Sequence, residues 1–163
     1  MTEKIISKII EIDNCNKDIV LKALYKPKFW EAISPVDKIE ANFPAPNVLY
    51  TYIVDVIKVV NISIEMDGEL VLEDKGDKEG KGRLIEFNVR NNKDVKTLEG
   101  NIRVKALSST KSKIGVFVHN FQLESSFLNL LGGASELILR TKIGNILRNI
   151  EKYCKTRDLK DFL

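Results

Sequence analysis

The order of hydrophobic periods along the chain is the feature that most constrains its fold. An apolar segment with the two-residue repeat of a strand comes first, two short segments with helical spacing follow, and a long alternating region leads to one amphipathic helix at the C-terminus. A curved antiparallel sheet wrapped around one long helix buries all of these apolar faces together. We therefore predict an α+β fold with seven antiparallel strands gripping the last helix, an arrangement that tends to enclose an apolar cavity.

Length and composition favour one domain. The 163 residues are 44% apolar and 30% charged, which is enough to bury one core, so we predict a single domain over residues 1–163. With 26 basic against 23 acidic residues the net charge is only +3, and we expect no nucleic-acid partner. No segment has a secretory-signal pattern or approaches the ~20 apolar residues of a membrane helix. We expect a cytoplasmic protein without integral membrane association.

The sequence contains few side chains that could coordinate a metal or hold a metal-containing cofactor. Cys15 and Cys154 are isolated thiols, and His119 is the only histidine, so we expect no metal and no cofactor. A bridge between the two cysteines would join the two ends of the chain, but cytosolic thiols are normally reduced except in hyperthermophiles. Abundant Lys, Glu and Ile with a single Gln, Gln122, are typical of a thermophilic source, whereas the 13 Asn residues argue against one.

Apolar spacing predicts the first elements. Residues 4–12 alternate on two apolar faces and predict a buried strand, and helical spacing then predicts a short helix that ends at Pro27. A second short helix around Phe29 stops at Ser34-Pro35, because the residue before proline avoids helical geometry. Residues 36–42 predict a short strand that ends at a two-proline loop.

The alternating region is harder to divide. Residues 47–65 are too long for a typical strand, so we expect a bulge near 58–60, with a full turn as the alternative. Asp67-Gly68 is typical of a tight hairpin turn and would lead into a strand at 69–73. Residues 76–82 have glycines at spacings unlike those of a phosphate-binding loop, and we interpret them as a solvated hairpin tip.

Three more strands, at 83–90, 95–107 and 112–124, complete an antiparallel meander. Residues 125–133 are predicted to be a loop, which ends in Gly132-Gly133. Beyond it, one face of a long helix is apolar over an arc of about 120°. The residues on this face are Leu139, Ile143, Ile146, Leu147, Ile150, Tyr153 and Cys154.

Two local patterns accompany this order of elements: Ile19-Val20-x-x-Ala23-Leu24-x-x-Pro27-x-Phe29-Trp30 with Ser34-Pro35-Val36, and Leu130-Leu131-Gly132-Gly133 before the last helix. Together they resemble the helix-grip superfamily. It contains START-like lipid-transfer domains, the birch-pollen allergen and its relatives, polyketide cyclases, and co-chaperones that stimulate a heat-shock ATPase. The resemblance covers nearly the whole chain and favours an outlying, archaeal branch. The first helix lacks the family's frequent Trp and no allergen-type glycine-rich loop is present, so nucleotide or plant-hormone binding is not carried over.

The resemblance implies an apolar ligand cavity between the sheet and the last helix. Alternation and helical spacing supply candidate residues for its wall: Trp30, Phe87, Ile102, Phe117, Phe121, Leu139, Ile143, Ile146, Leu147 and Ile150. The candidate polar anchors are His119, Tyr50 and Tyr52. Each has a simpler structural interpretation: a core or outward-facing histidine satisfied by one hydrogen bond, and ordinary core tyrosines. Trp30 is equally well explained as a packing anchor for the short helices.

These features lead to three functional hypotheses. The first is binding or transport of a small, lipid-like apolar ligand, without catalysis. The second is a cyclase- or hydrolase-type enzyme that uses His119 or Asp55 as base, although an exposed outer-face position is the simpler expectation for Asp55. The third is a co-chaperone-like interaction module, with peripheral membrane contact as a related possibility, acting through a basic helix face whose default interpretation is a solvated surface. That face contains Arg140, Lys142, Arg148, Lys152, Lys155 and Arg157.

Overall fold

Seven strands form one antiparallel sheet in the computed structural model, which describes residues 5–163. The strands are β1 (Ile6–Asp13), β2 (Lys38–Ala45), β3 (Val48–Ile57), β4 (Ile62–Lys78), β5 (Gly82–Arg90), β6 (Val95–Ala106) and β7 (Lys111–Leu123). The α-helices are α1 (Lys17–Ala23), α2 (Pro27–Ile33), α3 (Ser125–Leu131) and α4 (Ser135–Thr156). Short 3-10 turns cover Gly132–Ala134 and Leu159–Phe162. The predicted order of a strand, two short helices, six strands and a long helix is confirmed.

Local sequence explains where the two short helices begin. The Asn16 side chain accepts hydrogen bonds from the backbone N–H groups of Asp18 and Ile19 and so caps α1. Pro27 occupies the first turn of α2, where a missing N–H costs nothing. The predicted first strand begins at residue 4, which lies outside the described residues; the observed strand begins at Ile6.

The sheet is open and curves around α4, with β1 next to β7 at one edge and β2 at the other. The strand order is β1-β7-β6-β5-β4-β3-β2, and β1 pairs with β7 in a register that places Ile6 opposite Val118. The concave inner face of the sheet packs against α1, α2 and α4 to form the main core. Helix α4 contributes four buried residues, namely Ile143, Leu147, Ile150 and Cys154.

The region 47–82 differs from the prediction at more than one point. A full turn separates β3 from β4, with Asn61 in the left-handed region at φ 54°, so the alternative of a turn was right and the bulge near 58–60 was wrong. Asp67-Gly68 is not a hairpin turn, because both residues pair with β3 inside the long strand β4. A Cβ atom at Gly68 would lie 2.7 Å from the Asn92 side-chain nitrogen. This glycine therefore makes room for a neighbouring loop.

The segment 125–133, predicted as a loop, forms α3 and a 3-10 turn. Phe127 and Leu131, one helical turn apart, are buried with Ile57 in a small second core. Gly132, at φ 61°, ends α3 in a conformation that favours glycine. The prediction of a loop was wrong because the burial that stabilises this helix comes from distant residues of the sheet.

None of the helices within residues 5–163 combines the length and the apolarity needed to cross a bilayer. The single domain over 1–163, the cytoplasmic location and the archaeal or thermophilic source stay predictions.

Candidate functional site

A void of about 170 Å³ lies between the inner face of the sheet and helix α4. Its wall is made entirely of apolar side chains. The strands contribute Leu70, Phe87, Leu98, Ile102, Ile114, Val116 and Val118, and the helices contribute Val20, Leu24, Trp30, Ile33, Leu139, Ile143, Ile146, Leu147 and Ile150. We call this void the inner cavity.

Strands β6 and β7 supply the floor of the inner cavity. Ile102 lies directly opposite Val116 in the ladder, so both side chains point to the same face. Gly100 allows the strands and the Phe87 ring to approach closely: a Cβ atom there would lie 2.0 Å from the Phe117 carbonyl oxygen and 2.7 Å from Phe87 Cζ. The space above Gly100 is therefore taken by Phe87, which narrows the cavity.

Trp30 lines the cavity with its ring while its polar atom is satisfied elsewhere. The indole Nε1 donates a hydrogen bond of 2.7 Å to the Leu24 carbonyl. Since a buried indole N–H needs a partner, this bond ties α2 to the end of α1. The arrangement leaves the hydrocarbon part of the ring as cavity wall.

Polar contacts at its edges fix α4 over the cavity. Lys142 Nζ donates to Asp55 Oδ2 at 2.5 Å and to the Pro35 carbonyl at 2.7 Å. Asn149 Nδ2 donates to the Ile33 carbonyl at 2.8 Å. Asp55 is only 3% exposed, so the expectation of an outer-face position was wrong. Its carboxylate is held by an ammonium group and does not reach the inner cavity.

The two tyrosines predicted as polar anchors lie on the opposite, outer face of the sheet. Tyr52 pairs across the ladder with Glu40 and Asp67, and these polar neighbours mark the face that meets solvent. The Tyr50 hydroxyl donates to Asp67 Oδ2 at 3.0 Å, and this bond raises the pKa of Tyr50. A hydrogen bond with Glu65 raises the pKa of Tyr52 in the same way. Neither hydroxyl is available inside the cavity.

Phe117 and His119 also point outward, because Val116 and Val118 occupy the inner face of β7. Lys113 and Gly115 lie on the same face of β7 as Phe117. A charged residue and a glycine are unusual on a core face, so they are the sequence signal that marks this face as the outer one. A bulge at His119 then reverses the alternation and places Phe121 opposite Leu98 on the inner side. Phe121 packs against the main core beside the cavity wall. The structure therefore does not place Phe117 and His119 at the cavity wall, and it agrees with the simpler interpretation of His119 as an outward-facing histidine with one hydrogen bond.

A hydrogen-bond network fixes the tautomer of His119. Arg103 Nε donates to Asn101 Oδ1 at 2.9 Å, which leaves the Asn101 amide nitrogen to donate to His119 Nε2, also at 2.9 Å. In this arrangement Nε2 acts as the acceptor, and the tautomer that fits it has the ring N–H at Nδ1. That atom is buried and has no partner among the described residues.

Most of the predicted wall residues do lie at the inner cavity: Trp30, Phe87, Ile102, Leu139, Ile143, Ile146, Leu147 and Ile150. Whether they bind a ligand stays a prediction. The wall residues that sequence reasoning missed come from α1 and from the inner face of β7, chiefly Val20, Leu24 and Val116. Helical spacing in the first helix was the signal for Val20 and Leu24.

The two cysteines are free, buried and adjacent in the core. A hydrogen bond with Cys154, together with burial, raises the pKa of the Cys15 thiol well above its usual range. A thiol in this state is a poor nucleophile. Among residues 5–163, no group of three metal-ligating side chains converges.

The basic face of the last helix is partly used inside the protein. Lys142 binds Asp55, and Arg140 binds Glu136 at 2.8 Å and the Ile5 carbonyl at 3.2 Å. Arg148 donates to Asn145 within the same helix. The freely exposed cationic surface of α4 is therefore smaller than helical spacing predicts.

No family model and no curated protein matches the sequence. Solved structures match along nearly the whole chain. A START superfamily protein from Mycobacterium smegmatis is 9% identical, with a TM-score of 0.67 over 94% of this chain and 98% of that one. The Zhui aromatase/cyclase from a Streptomyces species is 11% identical, with a TM-score of 0.61 over 99% and 93%.

Norcoclaurine synthase from Thalictrum flavum, in complex with dopamine and hydroxybenzaldehyde, is 15% identical, with a TM-score of 0.60 over 93% of this chain and 86% of that one. At such low identity these likenesses establish the fold alone.

Proposed function

We propose that this chain, which has the helix-grip fold of the START-like superfamily, binds a compact apolar molecule in the inner cavity and acts as its carrier or sensor. The observation that supports this most is the void itself, about 170 Å³ walled only by apolar side chains. Protein interiors are normally close-packed, and a void of this size forfeits stabilising contacts. A guest molecule would restore them.

The size of the void limits the guest. An engineered apolar cavity of about 150 Å³ in another protein stays dry and binds benzene. Pockets for drug-sized ligands are usually about 300–1,000 Å³. In this conformation the inner cavity therefore suits a molecule of about benzene size, and a lipid chain would require α4 to move away from the sheet.

The chemistry of the wall favours a hydrocarbon-like guest. With no polar group on the wall, recognition depends on shape and apolar contact. Norcoclaurine synthase, which has the same fold, is in complex with two small aromatic molecules. This neighbour supports the choice of an aromatic or similarly compact guest.

The two alternatives have less support. Neither His119 nor Asp55 lies on the cavity wall, so an enzyme that uses either as base lacks the required geometry. A co-chaperone-like module acting through the basic helix face loses Lys142, which is bound to Asp55.

Trp30 is the only tryptophan and lies on the cavity wall, so its fluorescence reports on the cavity directly. Titration with bromobenzene, a heavy-atom quencher of cavity size, is expected to quench Trp30 in a saturable manner. The Val116→Phe variant fills part of the cavity, leaves too little space for the ring of bromobenzene, and should abolish saturable quenching.

Val54→Phe, on the outer face of β3, is the matched control and should quench like the wild type. Non-saturable quenching in the wild type, or equal quenching in Val116→Phe, would contradict the proposal.

A further inference from the structure

A second concavity lies on the outer face of the sheet, away from the inner cavity. It has a volume of about 120 Å³ and is formed by the turn between β4 and β5, by β6 and β7, and by one residue of β1. We call it the outer groove. Its lining residues are Ile9, Gly80, Lys81, Arg103, Lys105, Lys113, Gly115 and Phe117.

Backbone geometry forces the four cations of the outer groove together. Gly82, at φ 75°, lets the β4–β5 turn lie against β6: a Cβ atom there would be 2.4 Å from the Val104 carbonyl oxygen and 2.9 Å from Lys105 Cα. This close approach brings Lys81 beside Lys105. Lys105 in turn lies directly opposite Lys113 in the β6–β7 ladder. Facing like charges destabilise a sheet unless something compensates them.

Ion pairs within the described part of the chain do not supply that compensation. Among residues 5–163, no carboxylate lies within 4.0 Å of the charged nitrogens of these four residues, whereas Arg83 and Arg90 on the same sheet each pair with a carboxylate at 2.8–2.9 Å. Glu11 is opposite Lys113 in the ladder, but its carboxylate pairs with Lys111 at 3.6 Å. Within residues 5–163, none of the four positive charges of the outer groove is therefore neutralised by an ion pair.

Arg103 is held in place for binding. Its Nε donates to Asn101, a residue only 6% exposed, and its guanidinium lies 4.0 Å from the centroid of the Phe117 ring. The remaining guanidinium N–H groups have no partner among the described residues. A fixed planar fork of donors is suited to an oxyanion with several acceptor oxygens.

We propose that the outer groove is a binding site for a phosphate group, either inorganic phosphate or the phosphate of a small monoester. Four cations around one concavity match a dianion better than a single carboxylate. The arginine would bind two phosphate oxygens, and the lysines would neutralise the charge from the sides of the groove. This site is independent of the proposed apolar ligand, because the two concavities lie on opposite faces of the sheet.

The test is an NMR titration of the full chain with inorganic phosphate, against sodium chloride at the same ionic strength. Saturable shifts are expected at the backbone amides of the outer groove, and phenyl phosphate should produce the same shifts. The variant Lys105→Gln/Lys113→Gln should weaken phosphate binding about tenfold or more. Lys38→Gln/Lys58→Gln removes two exposed lysines elsewhere that form no ion pair among the described residues, and it should leave the affinity unchanged.

A thermal melt in phosphate-free buffer guards against misfolding. Because the double substitution removes a facing pair of like charges, Lys105→Gln/Lys113→Gln should have a melting temperature no lower than that of the wild type. Added phosphate should raise its melting temperature less than that of the wild type. Absence of saturable shifts, or equal weakening in both double variants, would overturn the proposal. Sedimentation with phosphatidic acid vesicles without any binding of soluble phosphate would also overturn it, since the groove would then recognise a membrane surface.

Discussion

Asp55 and Lys142 join the sheet to the last helix at the edge of the inner cavity. The Asp55→Asn variant leaves the partly buried Lys142 ammonium without its counter-charge, and removal of one partner of such a pair is strongly destabilising. Since Lys142 retains 29% side-chain exposure, we expect a loss of about 2–3 kcal/mol in the free energy of unfolding, measured by urea denaturation.

Glu136→Gln serves as the matched control for this prediction. It breaks the exposed ion pair with Arg140, and such helical pairs contribute only about 0.3–0.5 kcal/mol. Equal losses in the two variants would show that the Asp55 pair does not hold α4 to the sheet.

Individual side chains were the least predictable part of the structure. The alternation in β3 and β7 showed which residues share a face, but both faces of each strand carry apolar residues, and the choice between them depends on neighbouring strands. Tyr52 faces outward because Glu40 and Asp67 flank it in the sheet. Sequence alone did not provide that register.

At the scale of elements, ion pairs in the β4–β5 hairpin make the stability of the protein depend on pH. Hydrogen bonds from Arg83 lower the pKa of Asp74 below its ordinary value of 3.8, and Lys17 and Arg83 lower that of Asp77. A carboxylate whose pKa is lower in the folded state than in the unfolded state stabilises the protein at pH values above the unfolded-state pKa. This contribution is lost as the pH falls through the folded-state pKa. Stability should therefore fall as the pH drops from about 5 to about 3.

Arg83→Gln tests this directly. Removing the guanidinium returns the Asp74 pKa toward its ordinary value, so the slope of unfolding free energy against pH should become shallower over that range. Urea denaturation at several pH values measures the slope. An unchanged slope would mean that other carboxylates control the acid sensitivity.

Elements with a strong local signal were predicted well, and elements that depend on distant contacts were not. The short helices have a cap residue or proline at their start and the long helix has one apolar face, all of which are readable in sequence. Helix α3 is stabilised by the burial of Phe127 against Ile57. Position 68 needs a glycine because the Asn92 side chain lies where a Cβ atom would be. No local pattern reveals either contact.

For the whole molecule, the inner cavity implies a conflict between stability and binding. Val116→Phe fills part of the void and should raise the free energy of unfolding by about 0.5–2 kcal/mol, as cavity-filling substitutions commonly do. Thermal or urea denaturation measures this gain, and the Trp30 titration measures the accompanying loss of binding. Destabilisation with retained quenching would show that the void is not where the guest binds.

The predicted helix-grip fold is confirmed for the chain as a whole because it follows from the order of elements, which periodicity reveals. The helix side of the cavity was also predictable, since one face of α4 is apolar. The volume of the cavity was not, because it depends on how Phe87 packs over Gly100.

The proposed function depends on the inner cavity between the sheet and α4 being empty and apolar. A crystal of the protein exposed to xenon under pressure tests it most directly, because xenon enters dry apolar cavities without needing a polar contact. We expect xenon density beneath α4, in contact with Ile102, Val116 and Ile143, and none there in Val116→Phe. Wild-type crystals in which side chains or ordered waters fill that space, with no bound xenon, would contradict it.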